Sequence, residues 1–178
     1  KKNKSGEPMR DFHIIKNYKL EFTIHPLDRI SSWGNIIHST ISNRNCCSSY
    51  DRVPAIWFHP GTSKLHIRVS TQSNGNFGHD PPEELPLNKD TTITIVVYED
   101  KLTIQLKGGY NYNETIDIDS ERETGNTNFY ISDPWHNPAK AKVKNVTFTN
   151  LSKNYQQSVE TNNSGVTKSG VTKSGVTK

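Results

Sequence analysis

A chain of 178 residues has room for one domain with a sizeable core and too little for two comfortable ones. Its formal charge of +4 sits at the ends, because residues 1–10 and 153–178 each carry four Lys or Arg against one Glu, leaving a body of −2. A mildly acidic body has no basic groove for phosphates, which argues against nucleic acid, and no apolar run approaches the length of a membrane span, which argues against insertion into a bilayer.

Only 31% of the residues are hydrophobic, a composition that suits a β-rich, loop-rich surface protein. Cys46 and Cys47 are adjacent, and neighbouring cysteines rarely bridge each other because the geometry is strained. They read as two reduced thiols in a loop, or as thiols that pair with another chain.

Residues 1–11 show no apolar periodicity and read as a mobile lead-in. The first strand is expected where Tyr18, Leu20, Phe22 and Ile24 alternate with Lys19, Glu21 and Thr23, and Pro26 stops it. A second, near residues 35–41, carries Ile36, Ile37 and Ile41 with apolar residues on both faces, as in a strand buried on both sides or at an interface. After a polar loop, Ala55-Ile56-Trp57-Phe58 and the alternating Leu65, Ile67 and Val69 flank the turn at residues 59–63. A long loop with Gly75, Gly78, Pro81, Pro82 and Pro86 follows, of a length that is usually functional or disordered.

The clearest pattern in the chain is residues 91–106, where Ile93, Ile95 and Val97, then Leu102, Ile104 and Leu106, fall on alternate positions about a turn at Glu99-Asp100-Lys101. A period of two fits a strand and not a helix, so this is a hairpin that needs a second apolar surface to cover it. Strands at residues 110–119 and from Phe129 follow, separated by the charged turn at residues 120–126. The last strand, about residues 140–151, starts with Ala141 and Val143 inward and then changes phase to Val146 and Phe148, which predicts a bulge. Short strands with Gly and Pro punctuation and no helical stripe predict an all-β fold, an antiparallel β-sandwich over residues 12–152. Beyond it, residues 153–178 form a polar low-complexity tail with three copies of Ser-Gly-Val-Thr-Lys from Ser164, suited to a stalk or anchor.

Four segments, residues 18–27, 52–70, 87–109 and 126–151, together resemble the concanavalin A-like, laminin G-type jelly roll in the order of their strands and turns. The resemblance covers residues 11–152 and implies the fold more sharply than the function, since one sandwich hosts lectins, adhesion modules, pentraxin-like binders and glucanases. It also implies binding on the concave sheet or at rim loops, often with calcium. Calcium needs several hard oxygen ligands about one point, for which Asp133 and Asp80, with Glu83 and Glu84, are the available donors. Asp133 has a structural alternative, since Asp-Pro begins many turns with its carboxylate capping its own backbone.

Sugar rings stack their C–H faces on aromatic side chains while nearby polar groups bond their hydroxyls. Trp33, Tyr50, Phe77, Tyr110, Tyr112 and Trp135 are the loop or surface aromatics that qualify, with Trp57 set aside because it sits in an apolar run. Tyr110 and Tyr112, sharing a strand face beside Asn111, make the best recognition surface, and Trp135 reads first as a lid over one end of the sandwich. Asp117, Asp119 and Glu121 have the spacing of a glucanase carboxylate set but start with Asp and run into the charged turn, so they read as a solvated strand end. His59 and His66 face each other across the predicted turn and read as a surface pair ahead of a metal clip. N-x-[ST] acceptors at Asn113, Asn145, Asn150 and Asn162 favour passage through a secretory pathway.

The sequence therefore predicts a non-catalytic module at a cell, virion or other extracellular surface that binds a glycan or glycoprotein, with either calcium or no cofactor, solvated loop carboxylates being the default reading of Asp80 and Asp133. The competing readings are a self-associating building block of an extracellular or viral assembly and, behind it, a glycoside hydrolase.

Overall fold

The computed structural model describes residues 7, 8 and 10–155, with Arg10 placed by its backbone alone. The Ser-Gly-Val-Thr-Lys repeats, Asn162 and most of the predicted lead-in lie outside the described residues. Twelve strands are named here in chain order: β1 (Arg10–Ile14), β2 (Tyr18–Pro26), β3 (Gly34–Thr40), β4 (Ala55–Phe58), β5 (Leu65–Arg68), β6 (Gly78–His79), β7 (Thr91–Tyr98), β8 (Lys101–Gly108), β9 (Tyr112–Asp117), β10 (Gly125–Ile131), β11 (Asn137–Pro138) and β12 (Ala141–Asn150). They form two sheets, one ordered β1-β10-β3-β4-β5-β6 with β11 added beside β3, the other β12-β2-β7-β8-β9. All pairings are antiparallel except the two-residue parallel match of β11 to β3.

The hairpin at residues 91–108 is central to the five-stranded sheet. Tyr98 pairs with Lys101, so Glu99-Asp100 is a two-residue turn, and Glu99 takes the left-handed backbone (φ 50°) that such turns demand. Its six alternating apolar side chains are at most 1% exposed, covered by Ile37, Ile56, Phe58, Leu65 and Ile67 from the opposite sheet. Each such side chain stabilises the fold by roughly 1.5–3 kcal/mol through removal of apolar surface from water.

Two strands depart from simple alternation, for different reasons. In β12 the register shifts between Lys144 and Thr147, the bulge that the change of phase predicted. In β3 the register shifts between Asn35 and Ile37, so Ile36 and Ile37 both reach the core. The other face of β3 is therefore polar, carrying Asn35 and His38, and it is buried by residues 132–138 rather than by an apolar layer.

The edges of the domain also differ from expectation. Arg10 and Asp11, placed by the sequence in the lead-in, belong to β1, which pairs with β10. At the other end Tyr155 packs on Tyr98 at 5.4 Å, so the first residues of the predicted tail still touch the sandwich. The charged turn hides one cation: Arg122 is 6% exposed and donates to the carbonyls of Lys16 (3.0 Å) and Glu99 (2.6 Å), tying three loops together.

Candidate functional site

Alternation in two short strands decides which side chains leave the core. In β4, Ile56 and Phe58 point inward, and in β5 so do Leu65 and Ile67. Trp57 is paired with His66, and Ala55 with Arg68, so Trp57, His66 and Arg68 share the outer face of the larger sheet with Asn35 and His38 of β3. Loops then wall this face. Trp33 comes from the turn before β3, Cys47 and Arg52 from the β3–β4 connection, Asn76 from the long loop, and His136 from the stretch after β10.

Together Trp33, Cys47, Arg52, Trp57, His66, Asn76 and His136 line a cavity of about 280 Å³. The Arg52 guanidinium lies 4.7 Å from the Trp57 ring centroid, and it donates to the Asn45 carbonyl (3.2 Å) and the Asn76 side-chain oxygen. Burial, and then the neighbouring Arg68 charge, push Arg52 below its usual value, and the guanidinium remains charged. Trp57 is 2% exposed and its indole N–H has no acceptor among the described residues, a rare condition for a buried donor. Gly75 lets the long loop press against Cys47: a Cβ there would stand 1.8 Å from the Cys47 carbonyl oxygen. The Cys46 and Cys47 side chains lie together in this connection, across a cis peptide.

Two carboxylates anchor the surroundings. Asp133 is buried, and its oxygens receive His38 Nδ1 (2.6 Å), His136 Nδ1 (2.9 Å) and the backbone N–H groups of Trp135 (3.0 Å) and His136 (2.9 Å). Burial alone would raise its carboxyl, but the hydrogen bonds and charge of His136 and His38 outweigh it and hold Asp133 well below the usual range. Asp80 receives His59 Nε2 (2.8 Å) and His66 Nδ1 (3.1 Å) on one oxygen and Arg68 Nη1 (2.6 Å) on the other. Here too burial opposes ionisation, and the His66 and Arg68 hydrogen bonds prevail. His66 is pushed below the ordinary imidazole value, by burial first, against the raising effect of Asp80. Neither carboxylate fits calcium, which requires six to eight oxygen ligands, because the groups described about each are imidazole, guanidinium or amide nitrogens.

The sequence-predicted aromatics divide between separate places. Trp33, 37% exposed, stacks at a tilt on His59 (4.7 Å) and His66 (4.8 Å), within the site. Trp135 stands edge-on to Tyr130 (5.7 Å) and His38 (5.3 Å), over the outer face of the larger sheet. Tyr110 and Tyr112 stack on each other at 5.9 Å, but at β9, an edge of the other sheet. There Tyr112 is tied through its hydroxyl to His79 of β6 (2.6 Å), and Asn111 accepts from the Gly108 N–H (3.1 Å). The tyrosine pair thus closes the seam between the sheets and does not join the face that carries Trp33.

Trp57, His66, Arg52 and Asn76 were missed as site residues. The run Ala-Ile-Trp-Phe conceals alternation because all four residues are buried, and only the clean alternation of β5 could have shown that His66 and its partner Trp57 face outward. The carboxylates Asp117, Asp119 and Glu121 are held by separate partners, Lys101, Ser73 and Lys16. A second depression, of about 560 Å³, includes Asp119 and Glu121 but not Asp117.

No family profile matches this sequence, and no curated protein matches it. Solved structures do. A heptameric pentraxin from Limulus polyphemus aligns over 79% of this chain and 67% of its own with 14% identity and a TM-score of 0.52. Sheep galectin-11 aligns over 82% and 100% (9% identity, TM-score 0.44), and an alginate lyase from Klebsiella pneumoniae over 76% and 60% (13%, 0.44). The likeness is one of fold: the chain is a concanavalin A-like jelly-roll sandwich.

Proposed function

We propose that this sandwich is a non-catalytic carbohydrate-binding module, displayed at a cell or particle surface, that takes a glycan or glycoprotein on the outer face of its larger sheet. The observation that carries this reading is the cavity walled by the Trp33 and Trp57 rings and by the polar groups of Arg52, Asn76, His66 and His136. The exposed Trp33 ring accepts the C–H face of a sugar, the buried Trp57 ring being covered by Arg52, and N–H donors at the rim meet its hydroxyls or a carboxylate. A volume of about 280 Å³ suits one or two sugar residues. The unfilled N–H of Trp57 beneath the cavity adds a donor that a water or ligand oxygen would satisfy. The carboxylates with glucanase-like spacing support the non-catalytic part of the reading, since each is held by a separate partner and Asp117 stands outside the depression that takes Asp119 and Glu121.

A glycan screen of the intact chain, repeated with Trp33→Ala, tests it. Retention of a saccharide by the wild type, weakened about tenfold or more in the variant at unchanged melting temperature, is the expected result. No saccharide bound, binding indifferent to Trp33, or cleavage of the bound saccharide would each overturn it.

A further inference from the structure

We propose that His59, His66 and Asp80 form a binding site for a divalent transition metal of the zinc type, beside the cavity that His66 also lines. The proposal does not depend on carbohydrate binding. Among the described residues this is the one group of three His, Cys, Asp or Glu side chains whose ligand atoms all lie within 4.8 Å of one another. Two imidazole nitrogens and one carboxylate oxygen are a donor set that suits zinc, nickel or copper, and a tetrahedral zinc site with a fourth position open uses three protein ligands of this kind.

The frame that holds these atoms is rigid. His59 and His66 belong to one hairpin, in which the His59 N–H donates to the Lys64 carbonyl (3.0 Å) and the β4–β5 register runs from Ala55↔Arg68 to Phe58↔Leu65. Asp80 directly follows β6, which is paired to β5 through Ile67 and His79. Its orientation is set from outside the triad: Arg68 holds Oδ1 at 2.6 Å, so Oδ2 is left to the two imidazoles at 2.8 and 3.1 Å. A carboxylate steered on its far oxygen by a second group is the usual outer support of a metal ligand. Tetrahedral bonds of about 2.0–2.2 Å set ligand atoms about 3.3 Å apart, so each imidazole would draw a few tenths of an ångström away from Oδ2, while the two imidazole nitrogens, within 4.8 Å of each other, would take up that same spacing.

Without metal, both imidazoles donate an N–H to Oδ2. Metal binding requires the lone pairs of those same nitrogens, and each neutral ring can provide one by moving its single proton to its other nitrogen. No proton is gained or lost in that exchange. Trp33, packed at 4.7 and 4.8 Å on the two liganding rings, covers the site on one side and places a fluorophore against it.

The test is a calorimetric titration of the untagged 178-residue chain with zinc chloride, in the absence of any saccharide. One zinc per chain is expected, with affinity reduced at least tenfold in Asp80→Asn and in His66→Gln and unchanged in His25→Gln, a histidine paired with Asp90 on another sheet. Because misfolding of a variant would also lower affinity, the wild type is titrated with cobalt(II) alone, where intense visible absorption of a tetrahedral complex, abolished by added zinc, is expected. Absence of zinc binding, zinc binding that survives the His59→Gln/His66→Gln double variant, or a cobalt spectrum without tetrahedral bands overturns the site. Saccharide binding measured on the same preparations keeps the two proposals separable, since either can fail while the other stands.

Discussion

Asp80 and Asp133 are two carboxylates on one face of one sheet, each touched by two histidines, and they do different work. Asp133 has no exposed side-chain surface, and its oxygens are filled by two imidazoles and two backbone amides. Asp80 keeps 22% of its side chain open, takes no backbone amide in the contacts above, and is steered by a guanidinium. Burial makes the first a pin that fastens residues 132–136 over β3, whereas partial exposure leaves the second free to exchange its partners for a ligand. Composition alone does not separate a structural cluster from a functional one; solvent access and the origin of the donors do.

The comparison is broken most sharply by deletion. Asp133→Ala should destabilise the fold by about 3–5 kcal/mol, because it strands buried partners, and Asp80→Asn by clearly less, because its partners keep some access to water, as measured by urea unfolding without metal. Equal losses would refute the distinction. Acid tests the first carboxylate: the carboxyl of Asp133, like that of Asp80, is depressed in the folded state, so the unfolded chain takes up its proton first as pH falls. Its stabilisation is fully present above the unfolded carboxyl value near pH 4 and drains away below it. Unfolding midpoints should therefore fall steeply below about pH 4 in the wild type and less steeply in Asp133→Asn.

Smaller effects concern the open side of the face. Arg52→Ala should weaken saccharide binding severalfold and cost some stability through the lost packing on Trp57. Glu121→Gln, exposed and paired with Lys16, should change neither the unfolding midpoint nor saccharide retention, and a loss of polysaccharide cleavage in that variant would instead revive the hydrolase reading.

Much of the sandwich was legible because alternation is local. Residues 18–24, 65–69 and 91–106 announce their strands, and the change of phase near Asn145 announces the bulge of β12. The doubled Ile36-Ile37 was misleading, since one extra residue in β3 sends both inward and leaves a polar face that a loop can bury. Trp33 was legible as a site residue from its loop, while the recognition surface assigned to Tyr110 and Tyr112 fell at the other sheet's edge. Asp80 was singled out, but with oxygen neighbours in mind rather than the histidines it meets.

By itself the sequence determined an all-β chain with its main core hairpin and its turns, since periodicity is a property of neighbours along the chain. Only tertiary structure decided that Trp57 and His66 stand side by side, that Arg52 lies over Trp57, and that Asp80 meets residues 14 and 21 positions away. Those meetings depend on strand register and on how loops fold back over a sheet, and no local pattern encodes the sum of such small choices.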